Sequence, residues 1–281
     1  MKSQKNKALV LLLMLASMLS LQSQTVSDTS LEKDAKIQVL MDNAHLNSCG
    51  FRGQLVNSFC KVNGQDIVVL ASGNTFYLLE KGGVYRLAGG NIKDSIFSFG
   101  MMASNKLVAV VEDEICAFDS RGTLIPMFQL ANARMEITVD DNIIYAYDKY
   151  SEEDLYSLYA YVEEGEVRIT TIETPINDVA GADEKVYFCS DNLIYELDVI
   201  NQTANVLCVV EEDETIISLA VDKRHNTLYF STEDYVCRLV ENNVELFGII
   251  GGKLLFDEKG LLVFDAESRF LYRMMYSLLD E

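Results

Sequence analysis

The chain has 281 residues, 49% of them hydrophobic, with 16 Gly and only 2 Pro, which suits a packed core and excludes a disordered or collagen-like chain. Its formal charge of −20 at pH 7 repels phosphate backbones, so nucleic acid is excluded as a partner and cations or basic surfaces are favoured.

In chain order, residues 1–24 carry Lys2, Lys5 and Lys7, then an apolar run from Ala8 to Leu19, then the polar exit Ser20–Gln24. A basic start, a short apolar segment and a polar exit describe a secretory signal peptide cut near residues 20–25, which would deliver the mature protein to a periplasm or the exterior. No later stretch reaches the ~18 apolar residues of a membrane span, so none is expected after cleavage. Residues 25–33 are polar and aperiodic and read as a linker, leaving one domain over 34–281. That domain opens with a candidate strand, Ile37–Met41, and a loop through His45 and Cys49.

A pattern then recurs six times: a turn of Asp, Lys, Asn or Gly, an apolar strand, a polar corner and a second apolar strand. Its apolar strands read Asp66–Leu70, Leu107–Val111, Ile143–Tyr147, Val186–Ser190, Leu228–Thr232 and Leu261–Asp265, at spacings of roughly 33 to 43 residues. Short strands at such a period predict an all-β, six-bladed β-propeller of four-stranded antiparallel blades, with seven blades as the runner-up. Strand a, the innermost, is placed near residues 55–62, 95–103, 134–139, 177–181, 216–221 and 253–257. The sixth repeat nearly ends the chain after its third strand. Ile37–Met41 is therefore expected to supply its fourth strand and close the ring.

The unit Ile217–Asp222, Asn226–Thr232 and Tyr235–Leu239 resembles the NHL-type repeat of six-bladed propellers. The resemblance covers residues 34–281, is best in the fourth to sixth repeats, and departs in the third at the acidic insertion Lys149–Asp154. It implies a fold and leaves function open, because propellers host many activities.

Six cysteines in an exported chain invite bridges, but Cys116 and Cys237 fall in different repeats, and Cys189 and Cys208 have a strand between them. Only Cys49 with Cys60 is close enough in the pattern to pair. The other thiols read as small core residues.

The topology puts the b-to-c and d-to-a connections on one face, here the top. That face gathers Glu112, Asp113, Glu114, the loop Asp148–Asp154, Glu211, Glu212, Asp213, Glu214, Glu233, Asp234, Asp265 and Glu267 into an acidic rim, while Lys61, Lys106, Lys185, Lys223, Arg224 and Lys259 lie at the opposite a-to-b turns. Channel-mouth candidates, at the starts of strand a, are Asn57, Asp94, Glu136, Asn177 and Asp178. The preferred reading is a non-catalytic binding propeller that engages a protein, peptide or glycan partner, favourably a basic one, on the acidic top face. The alternative is a metal-dependent hydrolase. Calcium-dependent lactonases and related gluconolactonase-like hydrolases, which the fold resembles, use Glu, Asn and Asp around a channel ion to polarise a carbonyl and activate water. That resemblance implies Ca²⁺ as the cofactor to consider. No catalytic triad, phosphate loop, C-x-x-C or EF-hand string is present, and His225 reads as a solvated turn residue.

Overall fold

The computed structural model describes residues 37–276 apart from 49–50, 52–55, 57, 81–82, 90–95, 97, 120–121, 133–134, 183–184, 200, 202, 212 and 241–242. The expected signal peptide and linker, with Asn57, Asp94, Glu212 and Cys49, therefore lie outside the described residues.

Six four-stranded antiparallel sheets form the blades of a propeller. Blade one is β2 (Ser58–Lys61), β3 (Val68–Ser72), β4 (Thr75–Glu80) and β5 (Gly83–Gly89); blade two is β6 (Phe99–Met101), β7 (Leu107–Val111), β8 (Glu114–Phe118) and β9 (Leu124–Gln129). Blade three is β10 (Glu136–Asp140), β11 (Ile143–Tyr147), β12 (Tyr156–Val162) and β13 (Gly165–Ile172); blade four is β14 (Asp178–Ala182), β15 (Lys185–Ser190), β16 (Leu193–Asp198) and β17 (Thr203–Val209). Blade five is β18 (Ser218–Asp222), β19 (Thr227–Ser231), β20 (Val236–Val240) and β21 (Asn243–Gly248). Blade six is β22 (Lys253–Asp257), β23 (Gly260–Asp265), β24 (Phe270–Met275) and, as its outer strand, β1 (Ile37–Met41). The ring thus closes as the repeat count requires, with Ile37 opposite Met274 and Val39 opposite Tyr272.

Each blade is covered on both faces by its neighbours, which is why the second strands are apolar throughout rather than alternating: every residue of β3 is buried, as is Gly260–Phe264 of β23. The described core resolves into six clusters, one per blade interface. Phe59, Leu70, Leu262 and Phe264 with Met41 fill the one between blades six and one, and Ile194, Leu219 and Phe230 the one between blades four and five. Cys60, Cys116, Cys189, Cys208 and Cys237 are buried free thiols in this packing. The dense tyrosines of blade three are core as well, since Tyr145, Tyr147, Tyr156 and Tyr161 are all buried.

Turn chemistry follows the residues. Asn105, Asp141 and Asn226 take the left-handed conformation at a-to-b turns, where short polar side chains tolerate it. Every outer strand carries a register shift against its third strand, such as that between Val39 and Met41, and these bulges blunt the exposed edges. One element departs from the sequence reading. The loop through His45 is a short helix, α1 (Asn43–Ser48), because Asp42 caps it: His45 N donates to Asp42 Oδ1 at 2.5 Å and Leu46 N to Asp42 O at 3.0 Å. Among the described residues no helix is long and apolar enough to cross a membrane.

Candidate functional site at the channel mouth

The strand register lines up one position per blade at the top of the channel: Ser58, Ser98, Glu136, Asp178, Ser218 and Lys253. Most of these residues bond across to a neighbouring blade. Ser98 Oγ accepts Ile137 N at 2.6 Å, Ser218 Oγ accepts Leu254 N at 3.0 Å, and Lys253 Nζ donates to Ser58 Oγ at 3.0 Å. Asp178 is the most heavily engaged. Its Oδ1 accepts Thr138 Oγ1 and Val179 N, both at 2.9 Å, and its Oδ2 accepts Ser218 Oγ at 2.6 Å and Leu219 N at 3.0 Å. Tyr147 OH adds a longer contact at 3.4 Å; burial first, then the nearby Asp178 and Glu136 charges, push that phenol well above its ordinary range, so it stays a neutral donor.

Above this ring lies a cavity of about 500 Å³, within the usual range for small-ligand pockets. It brings together three of the five channel-mouth candidates, Glu136, Asn177 and Asp178, and four rim acids, Glu233, Asp234, Asp265 and Glu267. Glu112, Asp113, Glu211, Asp213 and Glu214 stand on the same face but do not line it. Asn177 is committed to holding blade five, its Nδ2 donating to Ile216 O at 2.9 Å. Asp265 also lines the cavity but caps its own turn, accepting Glu267 N at 3.0 Å and Ser268 N at 3.2 Å. The carboxylates presented to solvent at the cavity are therefore Glu233, Asp234 and Glu267, on the b-to-c connections of blades five and six. Across the mouth, on blade three, Glu136 Oε1 faces Lys149 Nζ at 3.5 Å.

Lys149 and Lys253 are mouth residues the sequence reading missed, whereas Glu267 stands where the rim reading put it. Lys253 was findable as the blade-six counterpart of Asp178. Lys149 was not, because it sits in the insertion where the repeat breaks down.

A second cavity, about 530 Å³, opens at the opposite end, and Asp178 and Lys253 line both, so the ring partitions the channel. Charges at that end are mutually compensated. Lys223 meets Asp140 at 2.7 Å and Asp141 at 2.8 Å, Lys61 meets Asp257 at 3.5 Å, and Lys259 pairs with Asp66. His225 is engaged there too, its Nδ1 2.6 Å from Oδ2 of the buried Asp222, rather than simply solvated.

The mouth residues described do not fit a calcium cage, which needs about six to eight oxygens. Asp178 is saturated by protein donors, Glu136 faces a lysine, and Lys253 sets a cation in the ring. Among the described residues no group of three or more His, Cys, Asp or Glu stands close enough to hold a metal.

No protein-family model and no curated protein matches this sequence. Solved structures do match. A gluconolactonase from Xanthomonas campestris is 15% identical with a TM-score of 0.66, over 89% of this chain and 93% of that one. Virginiamycin B lyase from Staphylococcus aureus, solved with quinupristin, is 14% identical with a TM-score of 0.58, over 80% and 81%. A chain of the nidogen/laminin complex is 10% identical with a TM-score of 0.58, over 69% and 80%. At these identities the likeness is one of fold: this chain shares the six-bladed propeller with two enzymes and a component of a protein complex.

Proposed function

We propose that this chain is an exported, non-catalytic binding propeller whose top mouth takes a basic segment of a protein partner. The observation that carries the proposal is the 500 Å³ mouth cavity, where Glu233, Asp234 and Glu267 present exposed carboxylates that form no ion pair among the described residues, while at the opposite face Lys61, Lys223 and Lys259 are paired with acids. Acidic walls around a concave mouth concentrate cationic side chains and speed their encounter. A propeller of this fold occurs in the nidogen/laminin complex, which supports a protein partner in kind. The metal-dependent hydrolase alternative draws on fold likeness alone, since Asp178 is spent on protein donors and Glu136 faces Lys149. Export rests on the basic-then-apolar pattern of residues 1–24.

The test is titration of an amidated tetralysine peptide. Binding is expected to weaken several-fold in the triple variant Glu233→Gln, Asp234→Asn, Glu267→Gln, and to weaken again in 0.5 M salt, where the Debye length falls to about 4–5 Å. Affinity indifferent to both changes sinks the reading.

A further inference from the structure

The geometry points to Lys149 as a tethered occupant of the mouth, a lysine of the chain itself held at Glu136 where a partner's ammonium group binds. This rests on the reading above, that the mouth takes a basic segment, and adds which carboxylate receives the cation and what competes for it.

Glu136 is the exception in its ring. Ser58, Ser98, Asp178, Ser218 and Lys253 all bond across to neighbouring blades, whereas among the described residues Glu136 has its ionic partner in Lys149, from its own blade. At 3.5 Å the pair is in charge contact but longer than the ~2.7–2.9 Å of a charge-assisted hydrogen bond. Both side chains are part-exposed, 34% for Lys149 and 29% for Glu136, so an incoming cation can reach the carboxylate.

The connection that delivers Lys149 is the longest of its class, running from β11 to β12 over residues 148–155, while the matching connections in blades one, two and four are two-residue turns. Its base is fixed. Asp148 is buried, its Oδ2 accepts Asn132 Nδ2 and Ser157 N, each at 2.9 Å, and its carbonyl accepts Ile176 N at 3.1 Å. The residue after this anchor is Lys149, so the ammonium is directed into the mouth.

Exposed ion pairs are worth up to about 1 kcal/mol, and releasing Glu136 from a pair with Lys149 worth ~0.4–1 kcal/mol should tighten binding about two- to fivefold. Calorimetric titration of amidated tetralysine into wild type, Lys149→Met, Glu136→Gln and the double variant tests this. Lys149→Met should bind about two- to fivefold tighter, and the double variant should fall back to the affinity of Glu136→Gln. A Lys149→Met protein that binds no tighter, or a gain that survives in the double variant, overturns the inference. If wild-type binding still depends on Glu233, Asp234 and Glu267, that failure leaves the mouth reading standing. Tetralysine that binds neither wild type nor Lys149→Met overturns both. Since Lys149 and Glu136 are part-exposed, all three variants should melt close to wild type, and a large drop in Tm would show that the pair is structural.

Discussion

The Arg273 guanidinium and the Asp257 carboxylate meet at 2.5 Å with both side chains almost wholly buried, at the seam where the first and last parts of the chain close the ring. Lys61 of blade one approaches the same Asp257 oxygen at 3.5 Å, and Arg273 also donates to Gln38 of β1 at 3.3 Å. One buried acid thus holds cations from two blades. Removing one member of a buried ion network leaves uncompensated charge, so Asp257→Ala should cost about 3–5 kcal/mol in denaturant unfolding. The exposed pair Lys185–Glu196, at 3.0 Å, is the control: Lys185→Ala should cost under about 1 kcal/mol. Equal costs would show that burial does not set the strength of the seam.

Ring closure makes a second prediction. Met41 is fully buried against the blade-six and blade-one core, and β1 pairs with β24. Truncation to residue 42 should lower Tm markedly and promote association through the bared edge of β24. Met41→Ala should cost about 2–5 kcal/mol. A synthetic peptide of residues 34–43 added to the truncated protein should recover part of the lost Tm. A truncated monomer with unchanged Tm would refute closure by β1.

Asp178 is a joint between blades rather than a free ligand. Its oxygens accept Thr138 from blade three and Ser218 and Leu219 from blade five, besides Val179 of its own strand. Asp178→Asn places an amide donor against one set of these donors, and each group left unsatisfied costs about 1–3 kcal/mol. Urea unfolding should show a loss of about 2–4 kcal/mol, with the far-UV spectrum unchanged. Asp113→Asn, on an exposed turn of the same face, should shift stability by less than about 0.5 kcal/mol. Comparable losses at both positions would remove the case for a joint.

The blades were legible in the sequence because burial on both faces writes long apolar runs at a fixed period, and Leu261–Asp265 or Val186–Ser190 is unmistakable on that ground. Closure by Ile37–Met41 followed from counting strands. The mouth was harder to read. Its ring takes a single residue from each blade and the residue type changes around it, from Ser to Glu, Asp and Lys, so the repeat marks the position and not the chemistry. Asp178 looked like a ligand because hydrogen-bond donors converging from three blades are invisible along one chain. Lys149 was hidden for the opposite reason: it lies where the repeat is interrupted, and its partnership with Glu136 depends on how an eight-residue connection folds back.

Alkaline lability is the last prediction, and its sign follows from burial. Burial, offset slightly by Lys253, pushes the Cys60 thiol to about 12 from an ordinary 9.0. Burial and then the neighbouring Cys208 and Glu214 push Cys237 to about 11. Burial foremost likewise raises the Tyr145 and Tyr161 phenols to about 12 from 10.0. In each case the folded state favours the neutral form more than the unfolded chain does. Their contribution to stability is therefore complete below the unfolded values and is lost as pH rises from about 9 toward 12. Urea midpoints should be insensitive to these groups between pH 7 and 8.5 and should fall steadily from pH 9 to 11. Native protein at pH 8 should leave Cys60 and Cys189 unmodified by iodoacetamide, with rapid labelling once urea unfolds the chain. Labelling of either thiol in the native protein, or midpoints that rise above pH 9, would contradict the burial that the blade interfaces impose.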